Sequence, residues 1–144
     1  MKCVETNVIE QEAPTQAGVI RMTAGLLGFE NNKTYQLLGS AEEAPFLWLQ
    51  MTEEPKLSFL VIDPSHVMSN YQPDIPELDV AELEIENSAD ALVLNIVTIH
   101  RDGKGTVNLK GPILINRRTL AAKQVVPLNA SAYSLQHPLP AAKA

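Results

Sequence analysis

Short runs of apolar residues, separated by turn-forming residues at close intervals, make up most of this chain. Runs of this length, rich in β-branched and aromatic residues, are typical of β-strands, and their close spacing predicts a barrel or sandwich. The predicted strands are residues 18–23, 35–38, 46–51, 57–62, 91–100, 106–110, 113–116 and 123–128. We therefore expect an all-β, mostly antiparallel fold: a single β-barrel-like domain with one short helix.

The strand at 57–62 is apolar on both faces. One face carries Leu57, Phe59 and Val61, and the other carries Leu60 and Ile62. Because successive side chains of a strand point to opposite faces, both faces need cover from other parts of the protein. This strand is therefore expected at the centre of the sheet.

Asp102-Gly103 separates two β-patterned segments and predicts a tight hairpin, in which both turn residues adopt positive φ. In the returning strand, Val107 and Leu109 are expected to point inward. Proline cannot donate a hydrogen bond to a neighbouring strand, so Gly111-Pro112 predicts a bulge or an edge at the end of this strand.

One short helix is predicted near the middle of the chain. Asp79 and Glu82 have the spacing of a loose capping box, with Val80, Leu83 and Leu78 as the apolar side of the helix. The preceding segment, residues 71–76, contains two prolines and predicts a stiff connector.

The length of 144 residues predicts one domain, residues 1–144, with residues 1–17 and 140–144 peripheral or flexible. Cys3 is the only cysteine, so neither an internal disulfide nor a cysteine-based zinc site is expected, and Cys3 itself is interpreted as incidental. Acidic residues occupy the amino-terminal stretch where a signal peptide needs an apolar core, and no apolar run approaches the length of a membrane span. We expect a cytoplasmic protein that does not contact membranes.

The net charge of −6 is distributed unevenly along the chain. Residues 57–100 contain eight acidic residues and no lysine or arginine, whereas residues 101–144 contain seven basic residues and one acidic residue. These charges can simply decorate solvated loops and strand edges. Alternatively, the acidic stretch forms a patch that attracts a basic partner and speeds their encounter.

No pattern in the sequence predicts catalysis, a cofactor or a metal. Asp63, Ser65 and His66 are triad residue types, but a triad needs them to converge in space, and Asp-Pro-Ser is typical of a turn. The three histidines lack metal-ligand spacing, and residues 103–105 lack the pattern of a phosphate loop. The basic last third contains one aromatic residue, Tyr133, which disfavours a surface that stacks nucleic-acid bases.

Seven short motifs occur in the order in which the FliW family of flagellar assembly factors carries them. They are residues 25–30 (GLLGFE), 45–50 (PFLWLQ), 63–64 (DP), 71–82, 111–116 (GPILIN), 124–126 (QVV) and 133–139 (YSLQHPL). Over roughly residues 18–139 the chain resembles that family. It departs from the family pattern at Leu27, where proline is usual, at Ala121 or Ala122, where glycine is common, and at Gln136, where arginine is usual.

The resemblance implies a non-enzymatic regulator that acts through protein contacts. Such a protein binds the RNA-binding translational repressor CsrA and flagellin in turn, and captures CsrA once flagellin has been exported. It implies no cofactor, no direct contact with nucleic acid and a monomer in isolation.

We place the partner-binding site at Tyr71, Asp74, Glu77, Glu82 and Glu84. For Tyr71, anchoring the connector to the core and anchoring a partner are equally open. The alternatives for the whole chain are a barrel that binds a small ligand and a chaperone that binds flagellin only.

Overall fold

The computed structural model describes residues 18–139. The predictions for residues 1–17, for Cys3 and for residues 140–144 lie outside the described residues. The nine strands within the described part of the chain are β1 (Ile20–Met22), β2 (Thr34–Gly39), β3 (Phe46–Met51), β4 (Ser58–Ile62), β5 (Ala91–Ile99), β6 (Gly105–Val107), β7 (Ile113–Asn116), β8 (Ala121–Gln124) and β9 (His137–Pro138). The helix α1 spans Glu77–Glu82, and three single 3₁₀ turns span Pro64–His66, Ser88–Asp90 and Ala130–Ala132.

Seven of the strands close into a barrel in the order β5-β4-β3-β2-β1-β8-β7, and β7 pairs back onto β5. All these pairings are antiparallel except that of β1 with β8, which is parallel. The long strand β5 makes closure possible, because its first half pairs with β7 and its last three residues pair with β6. β9 then extends the sheet beyond β6. The predicted β-barrel with one short helix is confirmed.

Apolar side chains fill the interior of the barrel. The buried members of this group are Ile20, Met22, Leu26, Tyr35, Leu49, Met51, Val61, Leu94, Ile113, Ile115 and Ala122. Leu26 belongs to the turn after β1, and the other ten come from alternate positions of the seven strands, as the two-residue period of a strand requires. A barrel of about this strand number encloses a space that side chains can fill.

Two further apolar groups lie on the outside of the barrel. One is covered by the segment after β4 and by the carboxyl-terminal residues, with Ile62, Val97, Val107 and Leu109 buried in it. The other lies beneath α1, with Leu83, Leu114 and Val125 buried in it. In β4, Val61 faces the interior while Ile62 faces the outer cover, which confirms apolar contacts on both faces. The inclusion of Leu57 was wrong, because it precedes β4 and is exposed.

The hairpin between β5 and β6 is confirmed, but the predicted turn type is wrong. The loop has three residues, because His100 and Lys104 still pair through a 2.8 Å hydrogen bond from His100 N to Lys104 O. Gly103 has a φ of +87°, whereas Asp102 does not adopt positive φ. The Asp102 carboxylate instead accepts a 2.9 Å bond from Lys104 N, the local turn contact that aspartate favours.

The returning strand is shorter than residues 106–110. Val107 and Leu109 are fully buried as predicted, but β6 ends at Val107. Leu109 N donates to Ser134 O at 3.0 Å, and Lys110 N donates to the side chain of Asn108 at 2.9 Å. The chain therefore leaves the sheet before Gly111-Pro112, and the interruption begins earlier than predicted.

The last barrel strand was predicted too far along the chain. β8 begins at Ala121, directly after Leu120, which has a φ of +65° and forms the turn from β7. It ends at Gln124, after which Val125 N donates to Pro112 O outside any strand. Alanine has low strand propensity, so the pattern of apolar residues pointed to the valines that follow.

The predicted capping box is wrong. α1 begins at Glu77, two residues before Asp79, and Pro76 precedes it without a side-chain cap. Leu78 does not belong to the packed side of the helix, because its side chain is 83% exposed. Leu83, at the end of the helix, is buried as predicted. Within residues 18–139, no helix has the length and apolar character needed to cross a membrane.

Candidate functional site

The acidic helix α1 lies over β7 and β8 and is joined to them by an ion-pair network. Lys123, on the outer face of β8, donates to Asp79 Oδ1 at 2.7 Å and to Glu82 Oε1 at 3.0 Å. Glu82 Oε2 also accepts from the hydroxyl of Thr23 at 3.1 Å. The network thus holds one side of the helix against the barrel.

The network shifts the pKa values of Glu82 and Lys123 in opposite directions. Hydrogen bonds from Lys123 and then from Thr23, with the positive charge of Lys123, lower the pKa of the Glu82 carboxyl below its usual 4.5. Hydrogen bonds to Asp79 and then to Glu82 raise the pKa of Lys123 above its usual 10.5, against a smaller effect of burial. Both shifts favour the charged forms at neutral pH, because each charge has an opposite charge within bonding distance.

The carboxyl end of α1 is closed by a Schellman motif. Glu84 N donates to Ala81 O at 3.0 Å, and Ile85 N donates to Val80 O at 3.1 Å. The residue in the left-handed position is Glu84, with a φ of +56°, where glycine is usual. An exposed carboxylate is thereby held at a conformationally unfavourable position, a feature that often accompanies function.

Asn116, the last residue of β7, binds the carbonyl groups at this end of the helix. Its fully buried side chain donates through Nδ2 to Leu83 O at 2.8 Å and to Glu84 O at 3.3 Å. Its Oδ1 accepts from Arg118 N and Thr119 N in the turn after β7. One buried amide therefore joins the helix end to the barrel, and it satisfies carbonyl groups that a helix end leaves without partners.

Tyr71 anchors the connector to the outer face of β5. Its hydroxyl donates to Leu109 O at 2.7 Å and lies 3.4 Å from Asn95 Nδ2. Its ring packs edge-to-face on Tyr133, with ring centroids 4.7 Å apart. Burial raises the pKa of Tyr71, an effect that the hydrogen bond from Asn95 partly opposes. Of the two roles left open for Tyr71, these contacts correspond to anchoring the connector.

The four predicted acidic residues occupy different settings along the connector and α1. The side chains of all four are exposed, and that of Glu82 is also engaged by Lys123 and Thr23. Asp74 also links to the chain after β8, since its carbonyl accepts from Leu128 N at 2.7 Å. The fold brings these residues to one side of the barrel, but Tyr71 turns inward, away from them.

Three residues that build this surface were not predicted from the sequence: Lys123, Asn116 and Arg118. Arg118 pairs with Asp90 at 3.1 Å, so basic residues of the last third contact acidic residues of the middle third. The unequal charge of the two segments was the only available signal. It left open either solvated charges or a patch for a basic partner, and the structure shows that part of the acidic charge is neutralised within the chain.

The residues discounted for catalysis form the predicted turn. Asp63 Oδ1 accepts from Ser65 N at 2.9 Å and caps the short 3₁₀ turn Pro64–His66. Ser65 and His66 are both exposed. Between Gly18 and Leu139, no three side chains of His, Cys, Asp or Glu come together in a group that could hold a metal ion.

Comparison with known proteins gives one consistent result. The family model described as "FliW protein" matches residues 3–139. A protein of Leptospira interrogans named flagellar assembly factor FliW is 38% identical over 130 residues, which is 89% of this chain and 87% of that protein. Its counterpart in Bacillus subtilis is 36% identical over 122 residues, 84% of this chain and 85% of that protein. A crystal structure of the flagellar assembly factor FliW superposes with a TM-score of 0.79 at 30% identity, covering 94% of this chain and 93% of that one.

Proposed function

The chain belongs to the FliW family of flagellar assembly factors, and we propose that it acts by binding the translational regulator CsrA. Binding antagonises the repression of flagellin mRNA by CsrA. Flagellin is the second partner, and it occupies the protein until export removes it. The protein is then a regulator and chaperone without enzymatic activity, and it works in the cytoplasm where translation is controlled.

The observation that carries this proposal is the row of exposed carboxylates on a firmly held segment. Asp74, Glu77 and Glu84 project from the connector and α1, while Lys123 neutralises part of the charge of Asp79 and Glu82. Acidic groups arranged in this way attract a partner that is basic where it holds RNA, and they raise its association rate.

The test is association kinetics with purified CsrA from the same organism, followed by stopped-flow fluorescence at several salt concentrations. The variant is Glu77→Lys with Glu84→Lys. We expect association at low salt to slow by about tenfold or more, and its dependence on salt to flatten, because charge steering is lost.

The matched control is Glu42→Lys with Glu53→Lys, which changes the net charge equally at two exposed positions elsewhere. Equal slowing by both variants would mean that only the net charge matters. Unchanged kinetics in the first variant would leave the acidic row as a solvated surface.

Calorimetry separates the proposed partners. Saturable binding of CsrA that flagellin abolishes supports the exchange of partners. Binding of flagellin without any binding of CsrA would establish the chaperone alternative instead. The ligand-barrel alternative gains no support from the fold, because large side chains such as Tyr35, Met22 and Leu49 occupy the barrel interior.

A further inference from the structure

Four large apolar side chains are strongly exposed on α1, on the turn between β1 and β2, and on the segment after β8. Leu27, Leu78, Val126 and Leu128 are 71%, 83%, 63% and 71% exposed. Single exposed apolar residues are common on protein surfaces, but a contiguous group marks an interaction site.

Leu27 owes its exposure to the turn between β1 and β2. Leu26 and Phe29 form an isolated antiparallel bridge and pack with the barrel interior, so Leu27 lies at the tip between them. Gly25 makes the turn possible. Its φ is +73°, and a Cβ atom there would lie 2.6 Å from the Cα of Glu30. At the tip, Leu27 N donates to Gln124 Oε1 at 3.2 Å, which ties the turn to β8.

A circuit of contacts brings together the segments that carry these four residues. Leu78 and Glu82 are four residues apart in α1 and lie one turn apart along the same flank of the helix, and Glu82 meets Thr23. From Thr23 the chain leads to Leu27 and its contact with Gln124 in β8. From β8 it continues through Val126 to Leu128, whose N–H donates to Asp74 O, four residues before Leu78.

Carboxylates surround this apolar group. Glu30 lies beside Leu27 and accepts a 3.1 Å hydrogen bond from Gly28 N. Glu77 precedes Leu78 in α1, Asp74 accepts the N–H of Leu128 through its carbonyl, and Glu82 meets Thr23 and Lys123. The basic residue inside this ring, Lys123, is already bound to Asp79 and Glu82. The face therefore combines an apolar centre with a net negative rim.

We propose that this face, defined by Leu27, Leu78, Val126 and Leu128, receives an amphipathic helix of a partner protein, with an apolar stripe flanked by lysine or arginine. An added β-strand is a poorer fit, because β1, β7 and β8 are paired on both edges within the barrel. A second copy of this chain is also a poorer fit, because it would bring two acidic rims together. Leucine side chains on a helix bury against the centre, while its cations meet the rim.

This inference rests on the proposed function for the partners, CsrA and flagellin, but the surface can be tested without them. The test variant is Leu78→Gln with Leu128→Gln, and the control is Leu38→Gln with Leu135→Gln, two exposed leucines elsewhere. Each is titrated with CsrA, with flagellin and with a fluorescein-labelled leucine–lysine peptide helix of about five turns. A leucine–glutamate peptide of the same pattern measures how much binding comes from the leucines without the basic residues.

We expect the test variant to bind at least one of the two proteins, and the leucine–lysine peptide, about tenfold or more weakly than the control variant. If wild type binds CsrA and flagellin and the test variant binds both equally well, the helix site is wrong while the proposed function stands. If wild type binds neither protein, the proposed function fails. In that case the leucine–lysine peptide tests the helix site by itself. Binding that is weakened in the test variant supports the site, and binding that is equal in both variants overturns it.

If a second copy of this chain, or another part of the same chain, covers the face, the test variant gives a different result. Sedimentation that shows a dimer broken by the test variant would assign the face to a second copy and overturn the proposal. A loss of thermal stability in the test variant well beyond that of the control would mean that the chain itself covers the face. The proposal requires a monomeric test variant with the melting temperature of the control.

Discussion

The interior of the barrel and the helix that covers its outside are held by different forces. The interior buries eleven side chains with almost no polar contacts among them, and each contributing strand is paired on both edges. No residue of α1 itself is buried. The helix is held by Leu83 just after its end, by the amide of Asn116 and by the ion pairs of Lys123.

The contacts that stabilise the fold are therefore different from the contacts that position the surface charges. Burial of apolar area dominates folding and depends weakly on salt and pH. Ion pairs and hydrogen bonds at a surface contribute less, but they fix where charges lie. The barrel can therefore supply the stability of the fold, while the cover positions a charged surface that substitutions can alter without unfolding the protein.

Leu49→Ala should produce the largest effect, because Leu49 is fully buried in the barrel interior. We expect a loss of about 2–5 kcal/mol in the free energy of unfolding, from lost burial and the cavity left behind. Urea unfolding followed by circular dichroism measures it. Leu135→Ala, at an exposed leucine, should stay within about 0.5 kcal/mol of wild type. Similar losses in both variants would contradict the contrast between interior and surface.

Asn116→Ala should cost less, about 1–3 kcal/mol, because it leaves buried carbonyl and N–H groups without their partners. The loss should be concentrated at α1. Hydrogen exchange should therefore speed up at Leu83 and Glu84, whose amides close the end of the helix, more than in β2 and β3. Uniform acceleration throughout the barrel would show that the helix end and the interior unfold as one unit.

Lys123→Met should lower stability by up to about 1 kcal/mol at neutral pH, since its pairs are partly exposed. The pKa of Glu82 is lowered by folding, so its contribution is present above 4.5 and is lost as the pH falls through the folded pKa. The pKa of Lys123 is raised, so its contribution is present below 10.5 and is lost as the pH rises through the folded pKa.

Urea unfolding of wild type and Lys123→Met between pH 3 and pH 11 tests this sign. The free energies of unfolding of wild type and Lys123→Met should differ most near neutral pH. The difference should shrink towards pH 3 and towards pH 11. A difference that persists unchanged at the acidic end would mean that the packing of the lysine side chain, and not its charge, holds the helix.

Tyr35→Phe should have the smallest effect. The Tyr35 hydroxyl is fully buried in the barrel interior and has no hydrogen-bond partner among the described residues, and burial raises its pKa. Removing a hydroxyl without a partner should leave stability within about 0.5 kcal/mol of wild type or increase it. Thermal unfolding at neutral pH measures this. A loss above about 1 kcal/mol would show that the hydroxyl is bonded in solution.

Some elements followed directly from local pattern, and others depended on distant partners. The bounds of β3 and β7 were predicted to the residue, because each is a mostly apolar run that begins directly after a proline and stops before polar residues. β8 was misplaced because its alanines carry no strand signal, and only their pairing with β1 and β7 makes them a strand. Asp79 was misread as a cap for a similar reason, since its partner, Lys123, is 44 residues away.

The sequence by itself determined the class of the fold, the family, the positions of most strands and the uneven charge of the middle and last thirds. These properties depend on residue type and short-range order. The tertiary structure alone decided that the barrel closes through β5 and β7, that Tyr71 turns inward, and that Lys123 neutralises part of the acidic helix. It also decided that Leu27, Leu78, Val126 and Leu128 are left exposed. Each of these depends on contacts between residues far apart in the chain, which local patterns do not specify.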